Sequence, residues 1–260
     1  MEWTAEAETA IGKIPFFVRK RVRARVEDHV RQAGKHRVSL SDVRLSQKKV
    51  LARMSDKVKG YQLETCFGAG GCPNRAAESE RLMERLEKRL QGAEIRKFLE
   101  KNVKGPLKHH HEFRVAIADC PNACSQPQIR DLGVLGAVNP MITENPCTLC
   151  RACEDACTED AITLKDTDEA PLIDENRCVR CGKCVDVCPT GTLAVKERGY
   201  RILVGGKLGR HPRLAHELPG LYSEDDVIDI LQRCMDFYKK ESKKGKRFAE
   251  IFQDPADLGL

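Results

Sequence analysis

Apolar residues recur at three- and four-residue steps from Ile14 through Phe17 and Val18 to Val22, Val26 and Val30. That is the spacing of one face of an amphipathic helix. Pro15 suits its first turn and Gly34 its stop. SLSDVRLSQKKVLARM predicts a second helix with Ser41 as its N-cap. CPNRAAESERLMERLEKRLQG places Leu82, Leu86 and Leu90 on one face, between Pro73 at the start and Gly92 at the end. FRVAIA (Phe113 to Ala118), DLGVLGAV and YRILVGG are apolar, β-branched runs bounded by glycine or polar residues, and they read as strands. SEDDVIDILQRCMDFYKK carries Ser223 and Asp226 three apart ahead of an apolar stripe, a capping-box helix. A small helical unit therefore precedes a body in which strands and helices mix, of α/β or α+β class.

Composition narrows this picture. The chain has 260 residues, 41% hydrophobic and 32% charged, enough for one large or two modest domains. No apolar run approaches the roughly 18 residues of a membrane span. MEWTAEAETAIGK lacks the basic-then-apolar order of a secretory signal. The expectation is a cytoplasmic protein with no membrane partner. The net charge of +6 is uneven. Bases outnumber acids about two to one from Met1 to Gly60, and the stretch from Cys147 to Cys188 is net acidic. A basic end can serve nucleic acid, an acidic redox partner, or simply solvation of helix faces. No nucleic-acid motif accompanies it, and none is expected to bind.

Cysteine changes the picture most. Twelve of the thirteen fall in short-gap clusters, a distribution that suits metal or cluster ligation better than disulfides. Only Cys234 stands alone, on the last helical stripe, as a small buried residue. CTLCRACEDAC supplies Cys147, Cys150, Cys153 and Cys157, and CVRCGKCVDVCP supplies Cys178, Cys181, Cys184 and Cys188. Both follow the C-x2-C-x2-C-x3-C spacing of bacterial two-cluster ferredoxins, where the fourth cysteine of each run serves the other cluster. Cys147, Cys150, Cys153 and Cys188 are expected to hold one [4Fe–4S] cluster, and Cys178, Cys181, Cys184 and Cys157 a second. Zinc seldom uses such a doubled pattern. AITL and GTLAV, one after each run, resemble the small ferredoxin hairpins. Upstream, ETCFGAGGCPN pairs Cys66 with Cys72, and CPNAC pairs Cys120 with Cys124. Together they offer four thiolates for a third cubane, with glycines that let the backbone approach closely.

C-x5-C followed by C-x3-C, with CPNAC inside it, resembles the sulfite and nitrite reductase hemoprotein family. The resemblance implies that Cys66, Cys72, Cys120 and Cys124 bind a [4Fe–4S] cluster coupled to siroheme, with Cys124 as the bridge to the siroheme iron. QIRDLGVLGA and YRILVGGKLGRHPRLA are similar to later segments of the family, so the likeness runs from about Gln62 to His216. The ferredoxin-like runs lie between those segments, as in the anaerobic and dissimilatory types. The implied fold is α+β: a sulfite-reductase-like α/β core at 56–140 and 196–260, a 2[4Fe–4S] ferredoxin insertion at 141–195, and a helical accessory domain at 1–55. EWTAEAETAIGKIPFFVRKRVRARVEDHVRQAG is similar to the small C-terminal domain of one subunit of light-independent protochlorophyllide reductase, and reads as a docking or lid module.

Two departures stand out. The family's further domain, which completes the siroheme cradle and binds substrate, has no counterpart ahead of Cys66. Asp119 stands where the family commonly has glycine, which adds negative charge near an anionic site. Siroheme carries many carboxylates, so cations are expected around it: Lys57, Lys59, Lys104, Lys108, Arg114, Arg130, Lys207 and Arg210 are candidates. Lys207 and Arg210, flanked by glycines in GGKLGRHP, are the foremost, with Arg114 behind them. His211 is the candidate proton donor, ahead of His109, His110 and His111, which read as a polar loop. The implied function is reduction of sulfite or nitrite, with electrons from a protein donor entering at the ferredoxin clusters and Cys124, Lys207, Arg210 and His211 at the catalytic centre. The alternative is a siroheme-free three-cluster relay. Either could act as a homo-oligomer or as one member of a larger redox complex.

Overall fold

The computed structural model describes residues 1–260. It divides into two compact units, Met1–Lys59 with Val103–His110, and Gly60–Asn102 with His111–Leu260.

The first unit contains β1 (Glu2–Trp3), α1 (Ala5–Gly12), α2 (Phe16–Gln32), β2 (Arg37–Val38) and α3 (Leu40–Asp56). β1 pairs in parallel with β2, Trp3 opposite Val38. Pro15 immediately precedes α2, and Gly34 (φ +71°) follows its end. The core is small: Ala7, Val26, Val30, Val38 and Val43, with Trp3, Ala10 and Val22 packed against it. The expected apolar stripe of α2 is therefore only partly used. Phe17 is 75% exposed and Phe16 81%, because the first turn of α2 projects past this core. Ser39, not Ser41, caps α3. The chain leaves β2 extended at Ser39 (φ −101°, ψ 165°) and turns helical at the next residue. Ser39 and Asp42 exchange the two hydrogen bonds of a capping box, leaving Ser41 inside the first turn.

The second unit begins with β3 (Tyr61–Thr65), α4 (Glu80–Gly92), α5 (Ile95–Asn102), β4 (Phe113–Ala118) and β5 (Leu132–Ile142). Then come α6 (Ala152–Asp155), β6 (Ile162–Thr163), β7 (Leu172–Ile173) and α7 (Lys183–Asp186). It closes with β8 (Leu193–Val204), β9 (His216–Glu217), α8 (Glu224–Glu241) and α9 (Phe248–Ile251). One sheet runs β3-β4-β5-β8-β9. β3, β4 and β5 are parallel; β8 runs antiparallel to β5, and β9 to β8. The fold is thus a mixed one of helix and sheet. Leu82, Leu86 and Leu90 are all buried on α4, which packs on α8, and α8 packs on β5 and β8. Edge-to-face rings of Phe98, Phe113, Tyr238 and Phe248 fill this side of the sheet.

Two expectations shift. α4 starts at Glu80 rather than near Pro73, because the N–H groups of Ala76 and Ala77 are bonded to the carbonyl of Asp119 at the end of β4 and are lost to a helix. AITL forms β6 and pairs with β7, whereas the LAV of GTLAV opens β8 against β5. The β5–β8 pairing shifts register at Asn139/Pro140, where proline has no N–H to donate.

Candidate functional site

β3 and β4 are adjacent and parallel, with Thr65 opposite Ile117, so their C-terminal ends meet. Cys66 follows β3 directly, and its N–H bonds to the carbonyl of Ile117 (3.1 Å). Cys120 follows β4. A turn through Gly71 (φ +94°) returns Cys72 to the same place, and Ala123 (φ +56°) lets Cys124 double back. The Cys66 sulfur accepts the N–H of Gly68 and of Asp119, each at 3.3 Å. The Cys124 sulfur accepts the Asn122 side-chain amide at 3.0 Å. Burial pushes the Cys120 thiol up, and the charges of Cys124, Cys66 and Cys72 push it further. The four sulfurs thus form one electrostatic group, of which Cys124 alone is exposed.

Asp119 sits among them, 2% exposed. Arg75 Nε donates to its Oδ2 at 2.8 Å and the Ser79 hydroxyl donates to Oδ1. The extra negative charge expected there is therefore offset. A Cβ on Gly68 would lie 2.0 Å from Asp119 Oδ2, so the Gly68 turn and the carboxylate need one another. Arg75 escaped the reading of the sequence; its signal was a basic residue three places after Cys72, beside a buried acid distant in the chain. The loop that carries it is pinned by Arg198, whose Nη1 donates to the Ala76 carbonyl, and by Tyr200, whose hydroxyl donates to the Glu78 carbonyl at 2.6 Å.

The other eight clustered thiols line two cavities. Cys157, Cys178, Cys181 and Cys184 line one of about 400 Å³. Cys147, Cys150, Cys153 and Cys188 line the second, of about 280 Å³. Burial pushes Cys184 up to about 12, followed by the charges of Cys178 and Cys181 and then of Cys157. The loops wind through left-handed residues at Leu149, Arg151, Arg180 and Gly182. Backbone N–H groups reach sulfur from Leu149 to Cys147 (3.4 Å), Ala161 to Cys157 (3.3 Å) and Leu193 to Cys188 (3.4 Å). No three of the chain's His, Cys, Asp or Glu side chains converge on a single metal ion. Thiols that ring a cavity rather than a point fit a polynuclear cluster better than zinc.

Val138 joins one of these cavities to the first group. Its N–H bonds to the Arg180 carbonyl (2.8 Å), it forms a bridge with Cys181, and its side chain packs on Cys120 and Ala76. A Cβ on Gly182 would lie 2.9 Å from Val138 Cβ.

The basic candidates separate. Lys207 is half-buried, and its backbone pairs with Arg213 in both directions at 2.9 Å. This closes a loop whose tip, with Gly209 at φ +107°, leaves Arg210 and His211 exposed. The root of the loop lies beside the thiols: Ala215 and Cys66 both pack on the cluster of Ala118, Ala123, Leu135 and Leu203. The residues adjoining those two, Phe67 and Leu214, are 87% and 70% exposed. Arg213, also missed, holds the carbonyls of Gly205, Ala249 and Phe252. Arg114 and Arg130 each keep a buried Nε without a hydrogen-bond partner, although Arg130 pairs with Glu64. Lys57, Lys59, Lys104 and Lys108 belong to the first unit. His109–His111 form a short 3₁₀ turn.

Residues 60–255 match the nitrite and sulphite reductase 4Fe-4S domain family, and the chain belongs to it. It is therefore a protein of the sulfite and nitrite reductase 4Fe-4S class. Residues 3–45 match the proto-chlorophyllide reductase 57 kD subunit family. Coenzyme F420-dependent sulfite reductase of Methanocaldococcus jannaschii is 35% identical over 182 residues, which are 70% of this chain and 27% of that protein. One subunit of the anaerobic sulfite reductase of Salmonella typhimurium is 27% identical over 105 residues, 40% of this chain and 26% of that one. The matches thus span about a quarter of the length of these two relatives. One subunit of the light-independent protochlorophyllide reductase of Chlorobium luteolum is 52% identical over 40 residues, 15% of this chain and 8% of that one. Among solved structures, dissimilatory sulfite reductase I aligns with 78% of this chain and 54% of its own at a TM-score of 0.49 and 18% identity.

Proposed function

We propose that this chain is a siroheme- and [4Fe–4S]-dependent reductase of sulfite or nitrite, with its three groups of four thiols as cluster ligands. The observation that carries the reading is the grouping of the thiols: one group at the ends of β3 and β4, and two rings in which the last cysteine of each run stands with the other run. Cys66, Cys72, Cys120 and Cys124 would hold the cluster coupled to siroheme. Cys147, Cys150, Cys153 and Cys188 would hold a second cluster, and Cys178, Cys181, Cys184 and Cys157 a third, in a ferredoxin-like segment between β5 and β8. When bound, these groups would supply the one-electron chemistry that reduces the substrate.

The residues near Cys124 fit siroheme. Its sulfur is open to solvent, Phe67 and Leu214 offer apolar surface to a macrocycle, and the unpartnered Nε of Arg130 suits a carboxylate. Arg114 stands near the start of β4, roughly 13 Å by strand rise from the strand's last residue, Ala118, which Cys120 follows, and would reach only a peripheral carboxylate. Lys207 makes no ion pair within the chain and would attract the substrate anion. His211, beyond it on the loop, would hold a proton for transfer. Asp119, neutralised by Arg75, orients the Cys66 sulfur through its backbone N–H.

A second reading, a three-cluster relay without siroheme, draws on the exposure of Cys124, Arg210 and His211, which no second layer of this chain covers. An anaerobic absorption spectrum with iron and sulfide counts separates the two. Siroheme bands that shift on adding sulfite support the reductase. Iron and sulfide for three cubanes without a macrocycle band would sink it in favour of the relay.

A further inference from the structure

The helices of the first unit leave an apolar groove of about 1800 Å³. Its walls include Ala10, Ile14, Val22, Val43, Val50 and Leu51, and all of these except Val43 are only half-buried. A unit with so small a core gains more than a large one from covering such a surface. α1, α2 and α3 thus present the seam that a fourth helix would fill.

Charge says what kind of helix. The unit carries seventeen Lys and Arg against seven Asp and Glu. Elsewhere on the unit three cations are paired, Arg23 with Glu8, Arg31 with Asp28 and Lys35 with Asp42. Lys13, Arg25 and Arg44 line the groove among the apolar residues, with Glu6 as the one acid. The depression continues along α3 past Arg44 to Lys48 and Pro106. Lys13, Arg25, Arg44 and Lys48 are all exposed and none makes an ion pair within the chain. Apolar walls with an unmatched cationic rim are complementary to a helix with an apolar stripe and acidic flanks.

We propose that this groove docks an amphipathic, acid-flanked helix of a partner protein. The proposal holds whether or not the thiol groups carry siroheme. It is tested with the full chain and two fluorescently labelled synthetic helices of about five turns. Both carry the same Leu stripe at i, i+3, i+4 and i+7; one has Glu flanks and the other Lys flanks. Fluorescence anisotropy should show saturable one-to-one binding of the acidic helix that weakens as salt rises, and none of the basic one. The double variant Arg25→Glu/Arg44→Glu, in exposed positions, should keep the wild-type circular dichroism and lose at least tenfold in affinity. Leu51→Glu should do likewise. Lys243→Glu, in the second unit, should change nothing. Equal binding of both helices, no saturable binding, or binding that survives the double variant overturns the proposal. So does a self-associated state, seen by sedimentation, that the double variant dissolves and that excludes the peptide; the occupant would then be a second copy. Binding to phosphatidylglycerol vesicles or duplex DNA with the same variant sensitivity, and no peptide binding, overturns it as well.

Discussion

Asp119 shows how one carboxylate can sit among four thiols. It is buried, it receives Arg75 Nε and the Ser79 hydroxyl, and its backbone serves Cys66 and the loop of Ala76 and Ala77. Removing Arg75 strands a charge with few other donors, a loss of about 3–5 kcal/mol. Arg75→Ala should therefore lower stability by about that amount in anaerobic denaturant titration, and iron should be lost first from the Cys66 group. Adding Asp119→Asn to Arg75→Ala should recover part of the loss, because the stranded charge is gone; if the double variant is worse than the single, the ion pair is not the cause. The cysteines were legible in the sequence because ligand spacing is a local property. Arg75 was not, because its partner lies 44 residues away and nothing in either neighbourhood announces the other.

At the scale of elements, local signals and tertiary demands divide the credit. β4 and α8 stand where their apolar patterns and caps put them. The start of α4 does not, since Ala76 and Ala77 give their N–H groups to Asp119, a pairing that only the folded sheet supplies. The α3 cap was legible in Ser39 and Asp42, three apart, but the β2 strand that sets the turn is two residues long and leaves no pattern. Asp42 there is held down at about 2, first by its hydrogen bond from Lys35 and then by Ser39. Its depressed value means a contribution to stability that is complete above its ordinary range near 4 and is lost as pH falls through about 2. Lys35 is 55% exposed, so with the cap the contribution is about 1 kcal/mol. Circular dichroism melts of the wild type and Asp42→Asn should differ by a few degrees at pH 6 and converge by pH 2; a gap that stays constant with pH would refute the assignment. Between elements, Gly182 faces Val138 with no room for a methyl group. Gly182→Ala should loosen the second cysteine run from β5, seen as faster proteolysis after Arg177 or Arg180 while β4 and β5 stay protected in hydrogen exchange.

Across the whole molecule, the crossed grouping of thiols ties two sequence-distant runs together. Cys188→Ser should disturb the group of Cys147, Cys150 and Cys153 rather than its own neighbour Cys184, and Cys157→Ser the reverse. Electron paramagnetic resonance of the reduced protein would distinguish the two; a change confined to the mutated run's own cluster would break the crossed assignment. The class of fold was legible from alternating strands and helices, whereas the order of strands was not, since β5 meets β8 across 50 intervening residues. That meeting has a further consequence. The chain leaves β5 at Thr143 and re-enters beside it, where the Thr143 N–H bonds to the Thr192 carbonyl at 2.8 Å and its hydroxyl to the Gly191 carbonyl. Residues 143–192 thus leave and re-enter the sheet side by side, as through one doorway, with one further latch where Val138 meets Arg180 and Cys181. A cassette with neighbouring ends can be cut out and replaced by a tight turn, or moved to another hairpin, at little entropic cost to its host. The five-stranded sheet is in this respect a socket, and the eight thiols beyond the doorway sit in a plug latched to it at Val138.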